Sequence, residues 1–267
     1  METSIDLRPD PAARGAGWLL LLTAAATVAA VAGRVSAGAD LPTLVESLAA
    51  IGAARGSYGL GGAARLLSGI TLAVGARFLL RTWIMRERLG TRAVPLLLTG
   101  SGALTGLSGA CAVVLALVVS NPTEAAALGG IAPAMAILDS LHGVAGRAGF
   151  SLAGLALIAA AYRMWRVGDV LRFIAPASAV VGFAMQLVWV HAVIVVHRVS
   201  GAAFVVWLTL IGIMLVTGWV ERIFASFLRR KRTEEIARRY RKGYARGVAA
   251  ADELRGWADQ GTEPDDG

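Results

Sequence analysis

His142, His191 and His197 are the only histidines of the chain, and Asp139 precedes His142 by three residues. On a helix that spacing turns Asp139 and His142 the same way. Imidazole beside carboxylate suits a transition metal, and a facing pair of imidazoles suits haem. The six-residue step from His191 to His197 fits one helical face poorly. Boundary histidines held by water or lipid headgroups explain the same pattern without a ligand, and proton sensing is a third reading. Arg65 and Arg147 are the other candidates, because a charge within an apolar run is expensive and points to function by default. Both lie within about two turns of the end of their runs. Snorkelling to headgroups therefore also explains them, as does pairing with Glu46, Glu124 or Asp139. Arg77 and Arg81 snorkel towards the opposite side on the same argument.

No motif adds a reaction to these residues. The sequence has no HExxH, CxxC, CxxCH, GxSxG or GK[ST] phosphate loop, and no carboxylate pair within an apolar run. Cys111 is the only cysteine, so an intrachain disulfide is excluded. The fifth and sixth apolar runs carry only Ser178, Gln186, Thr209 and Thr217 as polar groups near their middles. Proton-coupled transporters usually place Asp, Glu or His there. The expectation is a non-enzymatic binding or accessory component. A transporter or channel for a small or lipid-like ligand, with a cavity lined by Arg65, Asp139, His142 and Arg147, is the second reading. A metal- or haem-binding redox protein using the histidines is the third.

The elements that must position these residues are long apolar blocks. The chain has 267 residues and is 56% hydrophobic, and the apolar residues come in runs without a polar face. Such runs, about 20 residues each, match the thickness of a bilayer core. Six spans are predicted, at Gly17–Val35, Gly59–Met85, Val94–Val119, Ala148–Trp165, Val170–Val196 and Gly201–Leu228. The fold class is thus all-α, a polytopic six-helix transmembrane bundle over 17–228, with a short tail over 1–16. The run behind Arg8 and Arg14 is long for a cleaved signal, although Ala37–Gly38–Ala39 resembles a cleavage site. Gly102 and Gly106 form GxxxG, and Ser101, Thr105 and Gly109 repeat at four-residue spacing. Such faces let helices approach closely in lipid. Packing within the chain is the first reading and homodimerisation the second.

Two outer connections read as short amphipathic helices on the membrane surface. One starts at Asp40–Leu41–Pro42 and carries Leu44, Val45, Leu48 and Ile51 at helical spacing. The other starts at Asn121–Pro122–Thr123–Glu124 and runs through Ala125–Leu141. A re-entrant segment is the alternative for each.

Charge sets the expected orientation. The net charge is +8, and the excess falls in alternate connections. Arg81, Arg86, Arg88 and Arg92 follow the second span, and Arg163, Arg166 and Arg172 follow the fourth. By the positive-inside rule both termini are cytoplasmic. Arginine outnumbers lysine 24 to 2 among abundant alanine and glycine, which suggests a GC-rich bacterial genome and hence an inner membrane. The expected partners are the lipid bilayer, anionic headgroups at the basic tail, and another membrane subunit. The tail carries Arg229, Arg230, Lys231, Arg232, Arg238, Arg239, Arg241 and Lys242. Ile236, Tyr240 and Tyr244 share one helical face there. The segment 229–250 reads as a continuation of the sixth helix turned onto the anionic inner leaflet. Nucleic acid or a protein partner is the alternative. The acidic segment 251–267 reads as disordered.

Several stretches together resemble a known family. They are Ala39–Asp40–Leu41–Pro42–Thr43–Leu44–Val45–Glu46, Leu141–His142–Gly143, the fourth span ending at Tyr162–Arg163, and Val196–His197–Arg198–Val199–Ser200–Gly201 leading to Trp207–Leu208–Thr209–Leu210–Ile211–Gly212. The pattern is similar to bacterial six-helix membrane proteins grouped as a domain of unknown function, numbered four-three-eight-six, over roughly Gly17–Gly218. The resemblance implies six spans and a short outer helix after the first. It implies no activity, and no residue takes a role from it.

Overall fold

The structure, a computed structural model, describes residues 10–38, 44–119, 132–190 and 194–260. Among the described residues all regular structure is helical. In chain order the helices are α1 (Pro11–Ala37), α2 (Leu44–Ala53), α3 (Arg55–Arg81), α4 (Trp83–Arg86), α5 (Ala93–Val118), α6 (Ala132–Val167), α7 (Asp169–Gln186), α8 (Ile194–Val216) and α9 (Trp219–Gln260). Six are long and apolar enough to cross a membrane: α1, α3, α5, α6, α7 with its 3-10 extension to Trp189, and α8. The chain divides into two compact units, 1–222 and 223–267.

Within the first unit the spanning helices pack in a closed series. α1 meets α3, α3 meets α5, α5 meets α6, α6 meets α7, α7 meets α8, and α8 returns to α1. Lipid gives helices no hydrophobic reason to associate, so close backbone approach must hold them. Small residues supply it. A Cβ on Gly69 of α3 would stand 2.5 Å from the Gly102 carbonyl oxygen of α5. One on Gly17 of α1 would stand 2.7 Å from the Gly212 carbonyl oxygen of α8, and one on Gly182 of α7 would stand 2.6 Å from that of Gly154 on α6. The GxxxG face of Gly102 and Gly106 therefore packs on α3 of the same chain. Hydroxyl pairs add polar bridges between α1 and α3: Thr23 to Thr71 and Thr27 to Ser68, each 2.8 Å between oxygens.

α2 buries Leu48 and Ile51 against Tyr58, Ala112, Leu115 and Val119. Val45 is exposed, so it does not belong to the buried face. The guanidinium of Arg55 donates to the Ala116 carbonyl at 2.8 Å, a cation on the last turn of α5. Asp40 and the start signal Asn121–Glu124 lie outside the described residues.

Several span boundaries differ from expectation. From Ala132 on, the second outer segment is part of the fourth span: α6 runs unbroken for 36 residues. At 1.5 Å per residue that is about 54 Å, well beyond a core of about 30 Å. Gly143, Gly146 and Gly149 do not end the helix, and at two of them a neighbouring helix uses the missing side chain. A Cβ on Gly149 would stand 2.9 Å from Thr105 Oγ1, and one on Gly146 would stand 3.2 Å from Ser108 Oγ. The second span stops at Arg81, where Thr82 turns extended and α4 begins. The fifth ends in the 3-10 turn Leu187–Trp189, short of Val196. The sixth starts earlier than Gly201 and ends at Val216 instead of Leu228. Gly218, at φ 69°, closes it in the left-handed conformation that favours glycine. The basic segment is therefore a separate helix, α9, and it continues to Gln260.

Candidate functional site

The polar candidates sort into a node inside the bundle, an aromatic–arginine rim, and a clasp at one end. The node joins α3, α5 and α6. His142 is 6% exposed and Ser108 is fully buried. His142 Nδ1 lies 2.8 Å from the Ser108 carbonyl oxygen and 3.1 Å from Ser108 Oγ. The hydroxyl of Ser108 donates to the His142 carbonyl at 2.8 Å. The shorter contact, to a carbonyl that only accepts, assigns the proton to Nδ1. A serine beside a histidine invites a nucleophile–base reading. This geometry opposes it, because a protonated Nδ1 cannot take the serine proton and the hydroxyl is already directed at a carbonyl. Arg65 enters the same node. A Cβ on Gly146 would stand 2.5 Å from its guanidinium nitrogen. Gly146 thus leaves room for the guanidinium beside α6.

Arg147 neighbours Gly146 in sequence but points elsewhere. Its guanidinium lies over the Trp189 ring, 5.5 Å from the centroid, and Trp189 Nε1 donates to Ser151 Oγ at 2.8 Å. The cavity expected from Arg65, Asp139, His142 and Arg147 is therefore divided. Arg65 lies against Gly146 of α6, His142 bonds Ser108 of α5, Arg147 stacks on the end of the fifth span, and Asp139 is half-buried one turn before His142. Arg172 over Trp165 at 4.6 Å and Arg166 over Tyr162 at 5.2 Å repeat the stacking. Cations over rings at helix ends suit the headgroup layer.

His197 packs edge-on against Phe150 of α6, with centroids 4.7 Å apart. Its Nδ1 is buried and makes no hydrogen bond among the described residues, while Arg34 and Arg65 are near enough to act on it electrostatically. Phe150 and His142 are eight residues apart on α6, a rise of about 12 Å. The two imidazoles thus engage different turns of α6, which does not favour a shared metal. Among the described residues no group of three or more His, Cys, Asp or Glu side chains is placed to hold a metal ion. His191 lies outside the described residues.

Of the polar groups expected near mid-span, Gln186 is the last residue of α7 and Thr217 follows the last residue of α8, and all four make hydrogen bonds. Trp207 Nε1 donates to Ser178 Oγ at 3.0 Å, and Gln186 Nε2 donates to the Ser151 carbonyl at 3.0 Å. Thr209 donates to the Val205 carbonyl within α8, and Thr217, just past the helix end, donates to the Ile213 carbonyl.

Sequence reasoning missed the clasp. Asp10 Oδ1 accepts from the Ala12 N–H at 2.9 Å and caps α1, with Pro11 in the first turn. Asp10 Oδ2 accepts from the Trp83 N–H at 2.8 Å and caps α4. The Asp10 N–H donates to Glu221 Oε1 at 2.9 Å. Glu221 is 5% exposed. Burial pushes its carboxyl above the ordinary glutamate range and the Asp10 charge adds to this, against the hydrogen bonds from Asp10 and Trp83 and the nearby Arg14. The start of α1, the end of α3 and the start of α9 therefore share one end of the bundle. Arg163 ties α6 to that end by donating to the Leu89 carbonyl. Asp10–Pro11 is a readable helix start, but a carboxylate that also caps a helix 73 residues away leaves no local signal.

Set against protein-family models, curated proteins and solved structures, the chain matches none of them. Among the described residues the architecture is all-α, with six helices long and apolar enough to span a membrane, as in a multi-pass membrane protein.

Proposed function

We propose that the chain is a non-enzymatic binding component of a bacterial inner membrane, with both termini in the cytoplasm, that holds another membrane subunit or a lipid. The observation that carries this reading is the Ser108–His142 node. Catalysis or proton relay needs polar atoms poised towards a reactant. Here the hydroxyl and Nδ1 are engaged with the backbone carbonyls of the facing helix. The hydroxyl pairs of α1 and α3 and the clasp work the same way, as bonds that fix helices together. A groove of about 400 Å³ between α3 and α5 is open and apolar, lined by Leu66, Ile70, Val74, Ala103 and Leu107 among others. It suits an acyl chain or an apolar helix better than a polar solute.

The orientation rests on charge. The clasp end also receives the connections bearing Arg81, Arg86, Arg88 and Arg92, and the positive-inside rule turns such an end to the cytoplasm. The bacterial source rests on composition alone. The resemblance to the six-helix family of unknown function rests on sequence pattern alone and assigns no residue a role.

Cross-linking in intact cells, followed by purification of the full chain, tests the reading. The expected result is one membrane protein at fixed stoichiometry, recovered again when the tag is moved to that protein. An uncomplexed chain would contradict the reading if its proteoliposomes pass protons, potassium or labelled phospholipid and Arg65→Gln abolishes the flux.

A further inference from the structure

α9 is separate from the sixth span and begins three residues after it, across the Gly218 turn. Every described side chain from Arg229 to Glu253 is exposed. Ile236, Tyr240, Tyr244 and Val248 recur at four-residue steps, with Tyr240 and Tyr244 each 77% exposed. Each such step turns about 40° around the axis, so the four form one face about 120° wide. Arg232, Arg239 and Arg246 border that face on one side, and Arg238 and Arg241 lie on the other. Nine lysines and arginines stand between Arg229 and Arg246 against Glu234 and Glu235, of which Glu235 is paired with Arg239 at 2.8 Å.

We propose that α9 docks on an anionic lipid surface, with the Ile236–Tyr240–Tyr244–Val248 stripe at the headgroup–acyl boundary and the flanking arginines on lipid phosphates. The charge complementarity is specific to such a surface. Tyrosine rings prefer the boundary, where the ring leaves water and the hydroxyl stays in it. Basic residues beside an anionic leaflet each add attraction. Nucleic acid would neutralise the arginines but leave Ile236 and Val248 in water. A second copy of α9 would bring like charges along both edges of the stripe. Attachment to the end of a spanning helix also keeps the bilayer close, so docking is effectively intramolecular. The inference needs α9 beside a bilayer and not the partner-holding role, so each can fail without the other.

Spin labels placed one at a time at residues 240, 244 and 248, and at Lys242 as the opposite-face control, test this in the full chain carrying Cys111→Ala. Nanodiscs of phosphatidylcholine with phosphatidylglycerol are compared with phosphatidylcholine alone. In the anionic discs the stripe labels should meet oxygen and be shielded from a soluble nickel chelate, while Lys242 shows the reverse. The shielding should vanish in the neutral discs and at high salt. Because a label replaces a stripe side chain, the pair Tyr240→Ser and Tyr244→Ser is read from the label at 248, which should become aqueous. Stripe labels open to nickel in anionic discs would overturn the proposal. So would equal shielding in both lipids with spin–spin broadening from a second copy, shielding only on adding nucleic acid, or a label at 248 indifferent to the tyrosine pair.

Discussion

Glu221 has little room to be charged. It is buried, it faces the Asp10 carboxylate, and its pKa is raised for those reasons in that order. A carboxyl whose folded pKa exceeds its unfolded value contributes fully below the unfolded pKa and loses that contribution as pH rises through the folded one. The clasp should therefore weaken as pH climbs from the ordinary glutamate value of about 4.3 towards neutrality. Glu221→Gln keeps an oxygen for the Asp10 N–H and removes the ionisation. Thermal unfolding in detergent should decline with rising pH across that window in the wild type and stay level in the variant; parallel profiles would count against the clasp. Ser108→Ala deletes the hydroxyl bond but keeps His142 on the Ser108 carbonyl. Hydrogen bonds between membrane helices average about 0.6 kcal/mol, so a loss of about that size is expected from the unfolding midpoint. A loss several times larger would mean that Ser108 does more than join two helices. His142 and Arg65 were legible as candidates because charge and imidazole stand out in apolar runs. Their partners were not, since the register of α5 against α6 decides that Ser108 and Gly146 meet them. Asp10 and Glu221 are 211 residues apart, and only the closed fold joins them.

At the scale of elements, two glycines separate packing from accommodation. A Cβ on Gly69 meets the backbone of Gly102 and Gly106, which cannot move without parting α3 from α5. A Cβ on Gly146 meets the far end of the Arg65 side chain, which can swing. Gly69→Ala should thus destabilise by about 1–3 kcal/mol or more, the usual range for overpacking. Gly146→Ala should cost less and instead displace Arg65, raising its access to a water-soluble arginine reagent. Equal stability losses would refute the distinction. The number of spans was legible because apolar length is a physical requirement of the bilayer. Breaks were less so. Nothing near Thr82 in sequence stops a helix, because the capping carboxylate comes from Asp10. Gly218 was a readable stop, but the apolar residues Trp219, Val220, Ile223 and Phe224 beyond it extended the pattern of the sixth span. Gly146 and Gly149 weaken a helix in water, whereas here each is a contact with a neighbouring helix.

For the whole molecule, the closed series from α1 through α8 back to α1 places residues 10 and 221 at one end. With six spans between them, residues 10 and 221 lie on the same side of the membrane. The alternation of basic connections carried that topology in the sequence, whereas the pairing of α8 with α1 depends on Gly17 meeting Gly212, which no local pattern announces. The most direct measurement is cysteine labelling from outside intact spheroplasts with a membrane-impermeant maleimide, in a Cys111→Ala background. Ser36→Cys, near the end of α1, should react before lysis. Arg14→Cys at its start and Glu253→Cys on α9 should react only after permeabilisation. Reaction of Arg14→Cys and Glu253→Cys on opposite sides, or of Ser36→Cys and Arg14→Cys on the same side, would contradict a six-span bundle with both ends in the cytoplasm.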